Sequence, residues 1–338
     1  MNSVSWLTLL AILQPLAGFG TPGGVWIERE VSVMGTSLLL RVAARDRPIA
    51  TRAGEAAIRA VERTDDVLST WRPDAELARA NQTPCGHETG LSPALLGLLR
   101  EAGHLRDVTG GAFDPAIGSL VDAWDLRGAG AVPDADRLRT ARAAAGWDRF
   151  HLSAAGVTRL HPAAWLDAGA FGKGAALRAA RDTLASAGAR HALLNFGGQI
   201  LAVSAEGLPP WRIAIADPGA RTDSIAVLVL RNGSVATSGQ SEQTLEVGGR
   251  QVGHILDPRS GQPVPAWGSV TVVDPDPLRA DALATALFVL GPTLGWAWAE
   301  AHHVAALFAS RDASGLSLRS TTALASGRMG VGLERTKQ

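Results

Sequence analysis

A single ammonium set between glycines is the first chemistry this sequence offers. In Trp165 to Asp182, WLDAGAFGKGAALRAARD, Asp167 precedes Gly169, Gly172 and Gly174, the last two flank Lys173, and an Ala/Leu/Arg-rich helical pattern follows at once. Lys173 and Lys337 are the only lysines in a chain whose other cations are arginines, so a compact point charge stands in a tight turn. The spacing predicts an extended entry, a turn and a helix start. Backbone N–H groups there lack intrahelical partners and the macrodipole is positive, which suits a phosphate. The stretch is not a Walker A loop, because Gly174 stands where Ser or Thr would hold magnesium, and it lacks the full dinucleotide fingerprint. A glycine turn with no ligand is the plain alternative.

A second stretch offers oxygen ligands. In Asp274 to Gly291, DPDPLRADALATALFVLG, Asp276 is an N-cap, Pro277 fits the first helical position, and Gly291-Pro292 stops the helix. Asp281 and Thr285 then share a face. A carboxylate and a hydroxyl on adjacent turns suit Mg²⁺, which takes few protein oxygens and leaves the rest to water and phosphate. The alternative is a solvated Asp281 and a Thr285 bonded to its own backbone. His254, in GHILDPRSG, ends a strand; it is either a satisfied core histidine or a base near neutral pH, with Asp257 behind it. Gly110 to Trp124 presents Phe113 and Asp114 together, or else uses Asp114 in an Asx turn.

The elements that must position these groups are legible in outline. Val25 to Ala44 alternates apolar and polar residues around Met34-Gly35-Thr36 and predicts two strands; Thr51 to Leu68 has helical period. Ser92-Pro93 opens a helix closed by Gly110-Gly111, and Asp134 caps a short one that stops at Gly146. Beyond the lysine turn, strands are predicted at 192–204, 211–216, 224–231, 251–257 and 269–273. Strands and helices do not alternate strictly, so the fold class is α+β rather than a doubly wound sheet. With 338 residues the chain holds about two domains or one two-lobed body. Zero net charge excludes a basic field for nucleic acid, and the solitary Cys85 excludes an internal disulfide. The first 27 residues carry no charge and Val4 to Phe19 is an apolar run, which reads as an export signal over 1–20 ahead of a body over 21–338. An uncleaved anchor is the alternative, since no Lys or Arg precedes the run.

Taken in order, the blocks Met34-Gly35-Thr36, Leu68-Ser69-Thr70-Trp71-Arg72-Pro73-Asp74 with Glu76-Leu77 and Asn81, Gly111-Ala112-Phe113-Asp114-Pro115, Leu166-Asp167 with Gly172-Lys173-Gly174, Asn195 with Gly197-Gly198, Thr237-Ser238-Gly239, His254 to Arg259 with Gly261, and Ala280 to Leu287 closely resemble the ApbE family of FAD:protein FMN transferases. The resemblance implies a two-lobed α+β protein of T-fold-like character with FAD between its lobes. It implies Mg²⁺-dependent transfer of FMN from FAD to a Ser or Thr hydroxyl of an acceptor flavoprotein, AMP being released; a membrane-associated acceptor is expected, and the export segment points to the periplasm or the outer face of the cytoplasmic membrane. By position, Met34, Trp71, Ala112, Phe113, Asp114, Asp167, Lys173, His254 and Ile255 would contact FAD. Ala170 through its carbonyl, with Asp281 and Thr285, would hold the metal, and Lys173, Asp281 and His254 would carry catalysis. Gln199 and Gln240 stand where the family usually has Asp. A Mg²⁺-dependent FAD pyrophosphatase and a flavin or metal carrier are the competing readings.

Overall fold

The computed structural model describes residues 24–239, 244–247, 250–312, 315–327 and 330–335. The export segment, Gln240 and Lys337 lie outside them. Its frame is an eight-stranded antiparallel sheet, in spatial order Val25–Val33, Thr36–Ala44, His191–Phe196, Gln199–Ser204, Gly233–Gly239, Gly268–Asp274, Ala305–Asp312 and Gly315–Ser320. Helices with bearing on the site are α1 Arg47–Leu68, α2 Glu76–Gln82, α3 Pro93–Val108, α4 Gly118–Ala123, α5 Ala135–Ala144, α6 Gly172–Ser186 and α7 Pro277–Ala301.

Both faces of the sheet are covered, and the period of two says how. Ala192, Leu194 and Phe196 pack with α1 and α6 side chains, whereas Leu193 between them packs with Ile213, Ile215 and Leu228 of a second antiparallel sheet. Likewise Ala306 and Phe308 face α7, while Ala305, Leu307 and Ala309 face the second sheet. The α+β class holds. At about 25 cal/mol per Å² of apolar surface removed from water, this two-sided burial is the main source of stability.

Several predicted boundaries hold for the expected physical reasons. Ser92 accepts the Leu95 N–H, Asp134 the Arg137 N–H, and Asp276 the N–H groups of Leu278 and Arg279. Asp167 lies in no strand; its extended segment runs as a loop from the end of the strand Gly156–Arg159 to the turn before α6. At Gly291 the helical geometry does break, with φ +80° and ψ 175°. A second helical piece continues directly to Ala301, because Pro292 suits a first turn. Among the described residues, α7 alone is long and apolar enough to cross a membrane, yet half of that apolar stretch is buried against the sheet and its neighbours.

Candidate functional site

The lysine turn and the Asp281 helix meet. The Gly174 N–H donates to Asp281 Oδ2 at 3.0 Å across 107 residues of sequence. A Cβ at Gly174 would stand 2.4 Å from the Pro277 carbonyl oxygen and 2.9 Å from Asp281 Cβ. Glycine is therefore what lets the first turn of α6 lie against the first turn of α7. Arg178, one turn and a half beyond Lys173, bonds both oxygens of Glu101 on α3 at 2.6 Å and the Asp276 cap at 2.5 Å, so the two helices are also tied at the α7 N-terminus.

Asp281 is buried among apolar neighbours, and Oδ2 is spent on Gly174. Among the described residues nothing donates to Oδ1. Burial pushes its carboxyl above the ordinary range, opposed by the charge of Lys173 and by the Gly174 hydrogen bond. Thr285, one turn on, is half-buried, as are Lys173 and Ala170. The free helix N-terminus expected from the sequence is mostly occupied. The Gly172 N–H donates to Ala168 O at 2.7 Å and the Gly174 N–H to Asp281. Of these first three helical N–H groups only that of Lys173 lacks an acceptor among the described residues, so the ammonium and one amide remain for an anion.

Two loops close on this turn. Asn81 clasps the Leu166 backbone, accepting its N–H at 2.8 Å and donating to its carbonyl at 2.9 Å, and the Asp167 N–H donates to Pro115 O at 2.7 Å. Asp167 itself accepts the Gly169 N–H through Oδ1 and pairs with Arg127 through Oδ2 at 2.8 Å. Phe113 and Phe171 meet edge to face, 6.3 Å between centroids, and Ala112 and Phe113 are buried. Met34, at φ +50° in the hairpin turn, reaches the same turn, since a Cβ at Gly172 would stand 3.3 Å from its Cε. Trp71 is 70% exposed on its loop.

Of the two uses the sequence allows for Asp114, the structure takes the Asx turn. Oδ1 accepts the Ala116 N–H at 2.8 Å and Oδ2 the Trp147 N–H at 3.1 Å, with Arg106 Nε 3.5 Å away. Its carboxylate is therefore committed to the loop, which leaves main-chain atoms for a ligand. His254 sits half-buried on the bend after Gly253, and Ile255 is buried in the core that also holds Phe113, Phe171 and Leu278. Asp257 does not stand behind His254 as a spare base: both its oxygens are held by the Arg259 guanidinium at 2.9 Å. Gln199 is buried and its Nε2 donates to Pro277 O at 2.9 Å and Ser234 Oγ at 3.2 Å, two donations that an ionised aspartate could not make.

Arg127, Arg178 and Glu101 do not stand out in the sequence. Arginine is too common here to draw notice, and these pairs span 40 to 98 residues.

Known proteins resemble this chain in both sequence and fold. Residues 34–308 match the ApbE family. The FAD:protein FMN transferase of Vibrio cholerae is 31% identical over 312 residues, covering 90% of this chain and 92% of that protein; that of Rhodobacter capsulatus is 37% identical over 228 residues, 65% of this chain and 43% of its own. The apo crystal structure of the Pseudomonas stutzeri flavinyl transferase ApbE superposes with a TM-score of 0.79 at 30% identity, over 89% of this chain and 96% of that one. With the family matched over most of the length and the lysine turn joined to the Asp281 helix, the chain belongs to the ApbE family.

Proposed function

We propose that this protein transfers the FMN moiety of FAD to a Ser or Thr hydroxyl of an acceptor flavoprotein and releases AMP. The observation that carries the reading is the junction of α6 and α7, where a lysine turn and a buried carboxylate with an unused oxygen face one place. The relatives named as FAD:protein FMN transferases support it.

The donor set fits Mg²⁺. Asp281 Oδ1, the Thr285 hydroxyl and the Ala170 carbonyl are hard oxygens, and a buried carboxyl short of partners is relieved by a cation. When bound, the ion neutralises charge on the diphosphate. The ammonium of Lys173, with its own N–H, holds the phosphate that departs with AMP. Trp71, Met34 and the Ala112-Phe113 segment, with Asp167, Asp114 main-chain atoms and Ile255, bind and orient the dinucleotide beside the lysine turn. His254 accepts the proton of the acceptor hydroxyl as its oxygen bonds to the FMN-side phosphorus and the bond to the AMP oxygen breaks. The uncharged, apolar N-terminal stretch directs the protein out of the cytoplasm, to the periplasm or the outer face of the membrane, beside a membrane-associated acceptor.

Incubation with FAD, Mg²⁺ and a candidate acceptor tests this. Fluorescent flavin bound covalently to the acceptor, mapped to one hydroxyl, is expected. Free FMN and AMP without labelling would convert the reading to a pyrophosphatase, and unchanged bound FAD to a carrier. Mass spectrometry of the mature N-terminus tests export, which an intact Met1 on soluble protein would refute.

A further inference from the structure

Arg127 lies outside the machinery assigned so far, yet it joins two segments of the site, Thr70-Trp71 and Trp165 to Asp167. Its Nη2 donates to Asp167 Oδ2 at 2.8 Å and to Thr70 Oγ1 at 2.5 Å. Its guanidinium lies over Trp165, Cζ 4.3 Å from the ring centroid, and over Trp71 at 4.8 Å. The seat is built rather than incidental. Trp165 donates through Nε1 to Asp122 Oδ2 at 2.8 Å, and only glycine fits beneath it, since a Cβ at Gly118 would lie 2.0 Å from its ring.

A tryptophan 70% exposed on a loop would ordinarily sample several rotamers and lose that freedom on binding. Here a planar cation lies over the Trp71 ring, most of whose surface stays exposed. The same cation holds Asp167, whose second oxygen accepts the Gly169 N–H in the turn leading to Lys173. Lysine could keep the ion pair but not the flat stacking surface.

We propose that Arg127 is a positioning residue for the dinucleotide substrate: it braces Trp71 so that the exposed indole stacks on a flat ring of FAD, and it fixes the Asp167 carboxylate beside the Lys173 turn. The identity of the ring rests on the transferase reading. Four variants of the full chain test the brace: Arg127→Ala, Arg127→Lys, Trp71→Ala and the Arg127→Ala/Trp71→Ala double. FAD dissociation constants come from flavin fluorescence quenching, KM and kcat from the transfer assay, and folding from thermal melts. Arg127→Ala should raise Kd and KM for FAD about tenfold with kcat within about twofold, and Arg127→Lys should recover part of the loss. The double variant should bind more weakly than Trp71→Ala by less than the full Arg127→Ala loss, because part of that loss passes through the ring and part through Asp167. An unchanged Kd in a folded Arg127→Ala protein, or losses that multiply in the double variant, would overturn the proposal. If Arg127→Ala does not fold, Arg127→Lys decides alone, a severalfold weaker Kd supporting the brace and a native Kd refuting it. Wild-type protein that binds FAD but transfers nothing would sink the transferase reading and leave the Kd comparison to decide Arg127.

Discussion

Asp114 and Asp281 are both buried carboxyls, both raised above the ordinary range by burial, and they are built for opposite purposes. Asp114 gives one oxygen to each of two backbone N–H groups and faces Arg106. Asp281 gives one oxygen to Gly174 and keeps the other, with Lys173 as its source of positive charge. Burial alone does not mark a functional carboxylate. The distinguishing feature is bonding capacity left over after the scaffold has been satisfied.

Substitution should separate the two. Asp281→Ala should lower metal-dependent FMN transfer on the order of a thousandfold, while its melting temperature in metal-free buffer falls less than that of Asp114→Ala, because only the Gly174 N–H loses its acceptor and a poorly solvated carboxyl is removed with it. Added Mg²⁺ should raise the melting temperature of the wild type and not of Asp281→Ala, because an ion that binds only the folded chain stabilises it by mass action. Asp114→Ala should do the reverse, costing about 2–4 kcal/mol in urea unfolding, since a buried and a half-buried N–H lose their acceptor and Arg106 loses one of its three carboxylate neighbours, with transfer per folded molecule retained. A destabilised Asp281→Ala alongside a stable, inactive Asp114→Ala would invert the contrast.

Gly174→Ala probes the join itself. Its methyl would displace α6 from α7 at a cost of about 1–3 kcal/mol, and transfer should fall more than stability does. Activity at the native level would mean that the close approach is not needed.

The smallest effect lies far from the site, at His191. It is buried, stacked on Trp211 at 4.2 Å and edge-on to Trp26 at 5.4 Å, and neither ring nitrogen meets hydrogen-bond geometry. Burial pushes its imidazole below the ordinary value, with the charge of Arg231 adding and the Pro209 backbone opposing. The unfolded chain therefore binds the proton first as pH falls. The stability linked to His191 is complete above about pH 6.5 and is lost as pH falls through the lower folded value. Urea midpoints at pH 7 and pH 5 should differ more for wild type than for His191→Phe; equal differences would show that the histidine plays no part.

Local signals in the chain are reliable wherever a side chain serves its own backbone. Ser92, Asp134 and Asp276 cap the helices that their spacing announces, Gly197-Gly198 turns a hairpin, and the alternation of 25–44 pairs two strands. The strand Ala305–Asp312 is not legible in the same way, because a continuous apolar run carries no period that separates strand from helix. The piece of α7 beyond Gly291 is hidden for another reason: glycine and proline mark a break without specifying the conformation on its far side.

The residue types of the site could be read off one dimension: an ammonium between glycines, and a carboxylate and hydroxyl on one helical face. Which of them meet could not. The Gly174–Asp281 bond, the Arg178 tie and the Arg127 brace each link positions 40 to 107 residues apart. Composition and period govern what a segment does to its own backbone. A partner so distant in sequence is chosen only when the packed sheet and helices bring the segments to contact, and that packing also decided that Asp114 would be spent and Asp281 spared.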